Sequence, residues 1–145
     1  MPTLHMHENV RTAVGVAPVA IGTTGTGQVG KVIDRAGYSG VEFVVAYGTI
    51  TSTAAVYTVT VKEGDATGSM TSVADADLVG TEALAGLAAG ARTSGTGKNV
   101  TKRVGYKGSK RYVSVDAIST GTTSVGCISV EAILHEPLVA PTANP

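Results

Sequence analysis

Apolar and polar residues alternate with period two over much of the chain, the spacing of strands that bury one face and wet the other. In Lys110 to Ala117, Val113, Val115 and Ala117 fall on one face, with Tyr112, Ser114 and Asp116 on the opposite one. Residues 125–134 repeat the pattern, with Ile128, Val130, Ala132 and Leu134 expected to turn inward. Val41, Phe43, Val45 and Tyr47 alternate with Glu42, Val44 and Ala46; both faces are fairly apolar, which predicts a central strand. Ala54 to Lys62 sets Tyr57, Val59 and Val61 against Val56, Thr58 and Thr60. Weaker strands are predicted over Val10 to Ala20, Gly27 to Asp34 and Asn99 to Tyr106.

Glycine, serine and threonine clusters separate these runs: residues 22–27, 37–40, Gly64 with Asp65, 94–97, Gly108 with Ser109, and 120–123. From Val19 to Glu136 no proline removes a ladder donor. Short strands joined by such turns predict an all-β fold, an antiparallel β-sandwich of jelly-roll-like form. Residues 75–91 depart from the pattern, being richer in alanine and leucine. One short helix or a long loop is expected there, because Gly80, Gly86 and Gly90 oppose a long helix. The organisation expected is an N-terminal arm over residues 1–9, a single sandwich domain over 10–136 and a proline-containing tail over 137–145.

Composition agrees and narrows the function. The 145 residues suit one domain. Valine (21), threonine (20), alanine (19) and glycine (19) dominate, and charged residues are only 15%, well under the usual quarter. Eleven basic and eleven acidic residues give a net charge of zero, so no global field draws the chain to nucleic acid or an anionic membrane. A weakly charged, neutral surface favours association. No stretch approaches a membrane-spanning length, and Met1 to His5 lacks the basic start of an export signal, so a soluble, unexported chain is expected. Cys127 is the single cysteine and cannot form an internal disulfide.

Motifs that could carry chemistry are weak. Gly25, Gly27 and Gly30 match a dinucleotide fingerprint and, with Lys31, most of a phosphate loop. Both need a helix directly after, and the next glycine, Gly37, arrives too soon for one; a glycine-rich turn is the expectation. His5, His7 and Glu8 make a polar arm before a metal site. His135 reads as a cap on a sheet edge, Cys127 as an outward filler, and Ser114 and Ser129 as strand residues without a nucleophile elbow. The Asn99 to Thr101 sequon matters only in a secreted chain. Neither a cofactor nor a metal is expected.

Charge is unevenly placed. Lys98, Lys102, Arg103, Lys107, Lys110 and Arg111 lie in a stretch without an acid. Glu63, Asp65, Asp75, Asp77 and Glu82 lie in a stretch without a base. Neutrality is thus the sum of two opposite patches, a pattern suited to contact between copies or with an oppositely charged partner. These eleven residues are the candidate contact set. Nucleic acid is a weaker partner for the basic stretch, whose aromatics are only Tyr106 and Tyr112.

Several short strings keep their order along the chain: Ala17 to Val19, Gln28 to Gly30, Ile33 to Arg35 with Gly37 and Tyr38, and Gly80 to Glu82. Arg103 to Tyr106, Gly108 and Lys110 to Val113 complete the set. Over about residues 10 to 137 the chain resembles a family of small head proteins of tailed bacteriophages. The resemblance implies a non-enzymatic virion structural protein, a capsid decoration or cement protein on the capsid exterior, assembled in the host cytoplasm. Its implied partners are the phage major capsid protein and further copies of itself, as a trimer or dimer, with no small-molecule substrate and no membrane. A head–tail connector or tail-tube subunit is the alternative, and a carbohydrate- or nucleic-acid-binding β module a weaker one.

Overall fold

A computed structural model describes residues 5–21, 27–90, 92–93, 98–120 and 126–139. A short helix α1 (Met6–Asn9) leads into β1 (Val10–Ile21), β2 (Gly27–Gln28), β3 (Ile33–Asp34), β4 (Tyr38–Ile50), β5 (Val56–Ala66) and β6 (Ser69–Ser72). A 3-10 turn (Asp75–Asp77), β7 (Leu78–Val79) and a second short helix α2 (Glu82–Ala85) follow. The chain then forms β8 (Thr101–Tyr106), β9 (Tyr112–Thr120) and β10 (Gly126–Pro137).

The strands make two antiparallel sheets, ordered β1-β10-β4-β8-β7 and β2-β9-β5-β6, with β3 also pairing β9. The pairing is nested: β1 with β10, β2 and β3 with β9, β4 with β8, and β5 with β6. That is a long hairpin wrapped into two layers, the jelly roll expected from the sequence.

Period two sets the core. Val41, Phe43 and Val45 of β4 are fully buried, and β4 is the central strand the sequence predicts, flanked by β10 and β8, with Val44 and Ala46 of its other face half-buried. Ile128, Val130, Ala132 and Leu134 face inward from β10, and Tyr57, Val59, Val61, Val113 and Val115 from the second sheet. β1 is an edge strand whose register slips between Val14 and Val16 and again between Val16 and Val19. Gly15 and Pro18 sit in these irregularities, where a missing side chain or a missing N–H costs least.

The structure corrects three expectations. Gly27 to Asp34 is not one strand: β2 and β3 are two residues each, both on β9, and residues 29–32 leave that ladder in a crossing that bridges to β1 of the other sheet. There the Gly30 N–H bonds the Asp116 carboxylate at 3.0 Å and the Lys31 N–H bonds the Gly15 carbonyl at 2.8 Å. A β-carbon on Gly30 would lie 1.9 Å from the Val115 carbonyl oxygen, so only glycine allows this crossing. Second, Gly64 and Asp65 do not end a strand; β5 runs on to Ala66 and β6 returns along it. Gly64 is there because a side chain would strike the Ser69 carbonyl at 2.3 Å. Third, Ser114 and Asp116 are buried although they lie on the outer face of β9. The 29–32 crossing covers Asp116 from one side, and Lys62 holds its carboxylate at 2.6 Å from the other.

The 75–91 region holds the one short helix expected, and also a 3-10 turn and the edge strand β7, which were not expected. Thr81 caps α2, its hydroxyl accepting the Leu84 N–H at 3.1 Å. The buried Tyr47 hydroxyl donates to the Ala85 carbonyl at 2.8 Å, fastening α2 to the sandwich. The glycine and threonine clusters at 22–26, 94–97 and 121–125 lie outside the described residues.

Candidate functional site

The acidic and basic stretches meet at one end of the sandwich. β8 carries the basic stretch between β4 and β7, and the loop after it runs along the end of β5, where Glu63 and Asp65 sit. Lys110 pairs with Asp65 at 2.5 Å, and the hydrogen bond and opposite charge hold the lysine above its usual pKa. The Tyr106 hydroxyl donates to Glu63 and accepts the Lys110 N–H at 3.0 Å. Burial first, and then the Glu63 bond, push the Tyr106 hydroxyl up to about 12. Glu82 takes the Val61 N–H at 2.5 Å, standing in for a strand partner on the β5 edge. Arg111 grips Asp34 with two bonds of 3.0 and 2.7 Å, which hold that carboxyl below its ordinary value.

The eleven contact candidates therefore separate into two groups. Glu63, Asp65, Glu82, Lys110 and Arg111 are engaged inside the molecule. Lys98, Lys102, Lys107 and Asp75 are exposed and Asp77 half-buried, and none of their side chains has an ion pair among the described residues. Arg103 makes one long contact, 3.6 Å to Glu42, with its side chain 80% exposed. The free positive charge thus lies on and beside β8.

Two apolar residues join it. Val79 and Leu84 are 56% and 67% exposed, although both are large hydrophobics. With Lys102, Arg103 and Glu42 they line a surface groove of about 480 Å³ next to the two-residue edge strand β7. Apolar residues rimmed by exposed cations can bury surface against a partner and fix its orientation through charge. Val79 and Leu84 escaped the sequence reading because in a run of alanine, leucine and valine nothing marks which apolar residues point outward.

Arg35 was missed as well. It is buried, and its guanidinium donates to four backbone carbonyls: Lys110 and Gly108 at 2.5 Å, Tyr38 at 3.0 Å and Ser39 at 3.1 Å. The ordered strings Ile33 to Arg35, Gly37 with Tyr38, Arg103 to Tyr106 and Gly108 to Val113 converge on this arginine. They are one structural node that shapes the 107–111 loop.

The weak motifs find plain places. Gly27 and Gln28 form β2 and Gly30 the crossing, with no helix after them. His5, His7 and Glu8 belong to α1 or its N-cap, and no group of three metal-ligating side chains occurs among the described residues. His135 lies across Gly40, at a site where any β-carbon on Gly40 would meet its ring at 2.2 Å. Cys127 is exposed on β10. No helix among the described residues is long and apolar enough to cross a membrane.

No protein-family model and no curated protein sequence matches the chain. Among solved structures, one neighbour above a TM-score of 0.5 shares the fold. The crystal structure of PBSX exported protein XepA superposes with a TM-score of 0.57 at 12% identity, over 100% of this chain and 43% of that one. The structure of infectious bursal disease virus Gx strain gives 0.49 at 9% identity, over 91% of this chain and 34% of that one. The disulfide-linked pili of Bacillus endospore appendages give 0.42 at 10% identity, over 89% and 92%. The chain spans less than half the length of the first two. At 12% identity the likeness to the first concerns the fold alone.

Proposed function

We propose that this protein is a non-enzymatic virion structural protein that binds the outside of a phage capsid lattice and stabilises it, as a decoration or cement subunit. The observation that carries this reading is the β7–β8 groove, where exposed Val79 and Leu84 lie beside Lys102 and Arg103. The ordered strings shared with tailed-phage head proteins support it. The jelly roll is compatible with it, and serves viral shells, lectins and cupins alike, so the site and not the fold has to bear the argument.

In this reading the groove seats against an acidic, partly apolar surface of the major capsid protein. Each contact is modest. Clustering into a trimer or dimer on a closed lattice multiplies the effect through local concentration, and opening the shell then requires breaking every contact. The chemistry asked of the protein is burial and charge matching alone.

Mixing the purified protein with matured capsids that lack it, then pelleting the shells, tests the reading. Protein carried down with the shells in fixed proportion to the capsid subunit is the expected result. Protein left in the supernatant overturns it, and if it forms rings or tubes there, a connector or tail-tube role replaces it.

A further inference from the structure

β1 is the outer strand of its sheet and among the described residues pairs with β10 on one side. Its other side meets the second sheet through the hydrogen bond from Lys31 N–H to the Gly15 carbonyl, 2.8 Å. Beside that bond lies a groove of about 380 Å³, walled by Arg11, Ala13 and Val14 of β1 and by residues 31–34. Its floor is apolar, with Leu134 fully buried and Ile33 nearly so. Val14 and Val32 remain 43% and 38% exposed at the rim. Arg11 and Lys31 also line it, exposed and without an ion pair among the described residues. The lining carboxylate, Asp34, is already held by Arg111, so the groove presents net positive charge.

We infer that this groove receives an extended segment of another protein, added as a strand on β1, whose groove-facing side chains include both apolar residues and carboxylates. An edge strand offers main-chain donors and acceptors to any extended chain, and because Arg11 pairs across from Leu134 and shares its face, the one set of side chains turned into the groove would meet the apolar floor and the cations together. A second copy of this chain is disfavoured as occupant. Antiparallel pairing of two β1 edges would bring the Arg11 and Lys31 of both copies together, and Val10 to Ile21 contains no acid to offset them. The inference does not rest on the capsid reading: β1 and β7 are opposite edges of one sheet, and what is assigned is a segment chemistry.

The test is a titration of the isotope-labelled full chain with a short capped peptide in which every second residue is threonine and the residues between are valine and glutamate by turns, followed by amide chemical shifts. Shifts confined to residues 11–14 and 31–34 are expected at about 1 mM peptide. The same peptide N-methylated at alternate positions keeps its charges and loses its ladder bonds, and should bind about tenfold more weakly. Lys31→Glu keeps the backbone bond to Gly15 and should weaken the unmodified peptide about fivefold. Absence of shifts at these residues, or equal binding of the N-methylated peptide, overturns the inference. So do shifts at the same residues that depend on protein dilution without peptide, since a second copy would then fill the groove. None of these outcomes bears on whether the protein pellets with capsids.

Discussion

The guanidinium of Arg35 sits over the ring of Tyr106, its central carbon 5.2 Å from the ring centroid. One buried cation thereby joins the start of β4, the 107–111 loop and, through the Tyr106 hydroxyl, Glu63 on β5. The two sheets are linked at this end by a charge and a ring as well as by apolar packing.

Arg35→Ala is expected to cost about 3 kcal/mol or more, because it strands several carbonyls that now accept charge-assisted bonds. For a domain of this size the melting temperature should fall by roughly 6–12 °C. Arg35→Lys should recover little, since one ammonium cannot reach carbonyls arranged for a planar fork. A loss under about 1 kcal/mol in thermal unfolding would show that the node is incidental.

Tyr106 gives a prediction at high pH. Its hydroxyl is raised from 10.0 to about 12, so the unfolded chain releases the proton first. The folded state binds more protons over that window, and stability, intact below pH 10, falls by up to about 1.4 kcal/mol per pH unit until the folded group titrates. Tyr47 and Tyr57, also raised by burial, add to the same fall. Tyr106→Phe should flatten the alkaline slope measured by denaturant unfolding, while costing about 1 kcal/mol at neutral pH through the lost bonds to Glu63 and Lys110.

Asp34 gives the opposite sign at low pH. Its folded pKa lies below 3.8 because Arg111 bonds the carboxylate, so its contribution is present at neutral pH and disappears as pH falls below that value. The pair is substantially exposed, and Asp34→Asn should cost no more than about 1 kcal/mol at pH 7. Wild type and variant should converge in acid; a difference that persists there would locate the effect elsewhere.

Gly30→Ala should be severe, about 3 kcal/mol, because the new β-carbon would collide with backbone at Val115 that cannot move without disturbing β9. Gly68→Ala meets open space and should stay within about 0.5 kcal/mol. Denaturant midpoints of the two variants give the comparison.

At the β7–β8 groove, Lys102→Glu combined with Leu84→Asp changes exposed side chains and should leave unfolding within about 0.5 kcal/mol of wild type. Under the proposed function the same variant no longer pellets with capsids, and wild-type binding weakens as salt approaches 1 M, where the Debye length is about 3 Å. Full binding by the variant would exclude this face.

Alternation was enough to specify β4, β5, β9 and β10 and their inward residues, because the period of a strand is a local steric property that each segment carries by itself. It also sufficed for the sandwich class and for the two opposite charge clusters. Only the tertiary structure decided the nested pairing order, the crossing at Gly30 and the burial of Asp116, since each depends on backbone from distant parts of the chain. It likewise decided that Lys110 and Asp65, 45 positions apart, neutralise each other, leaving Lys98, Lys102 and Lys107 facing outward. The reason is physical: a charge's availability depends on what lies within a few ångströms, and sequence distance does not measure that.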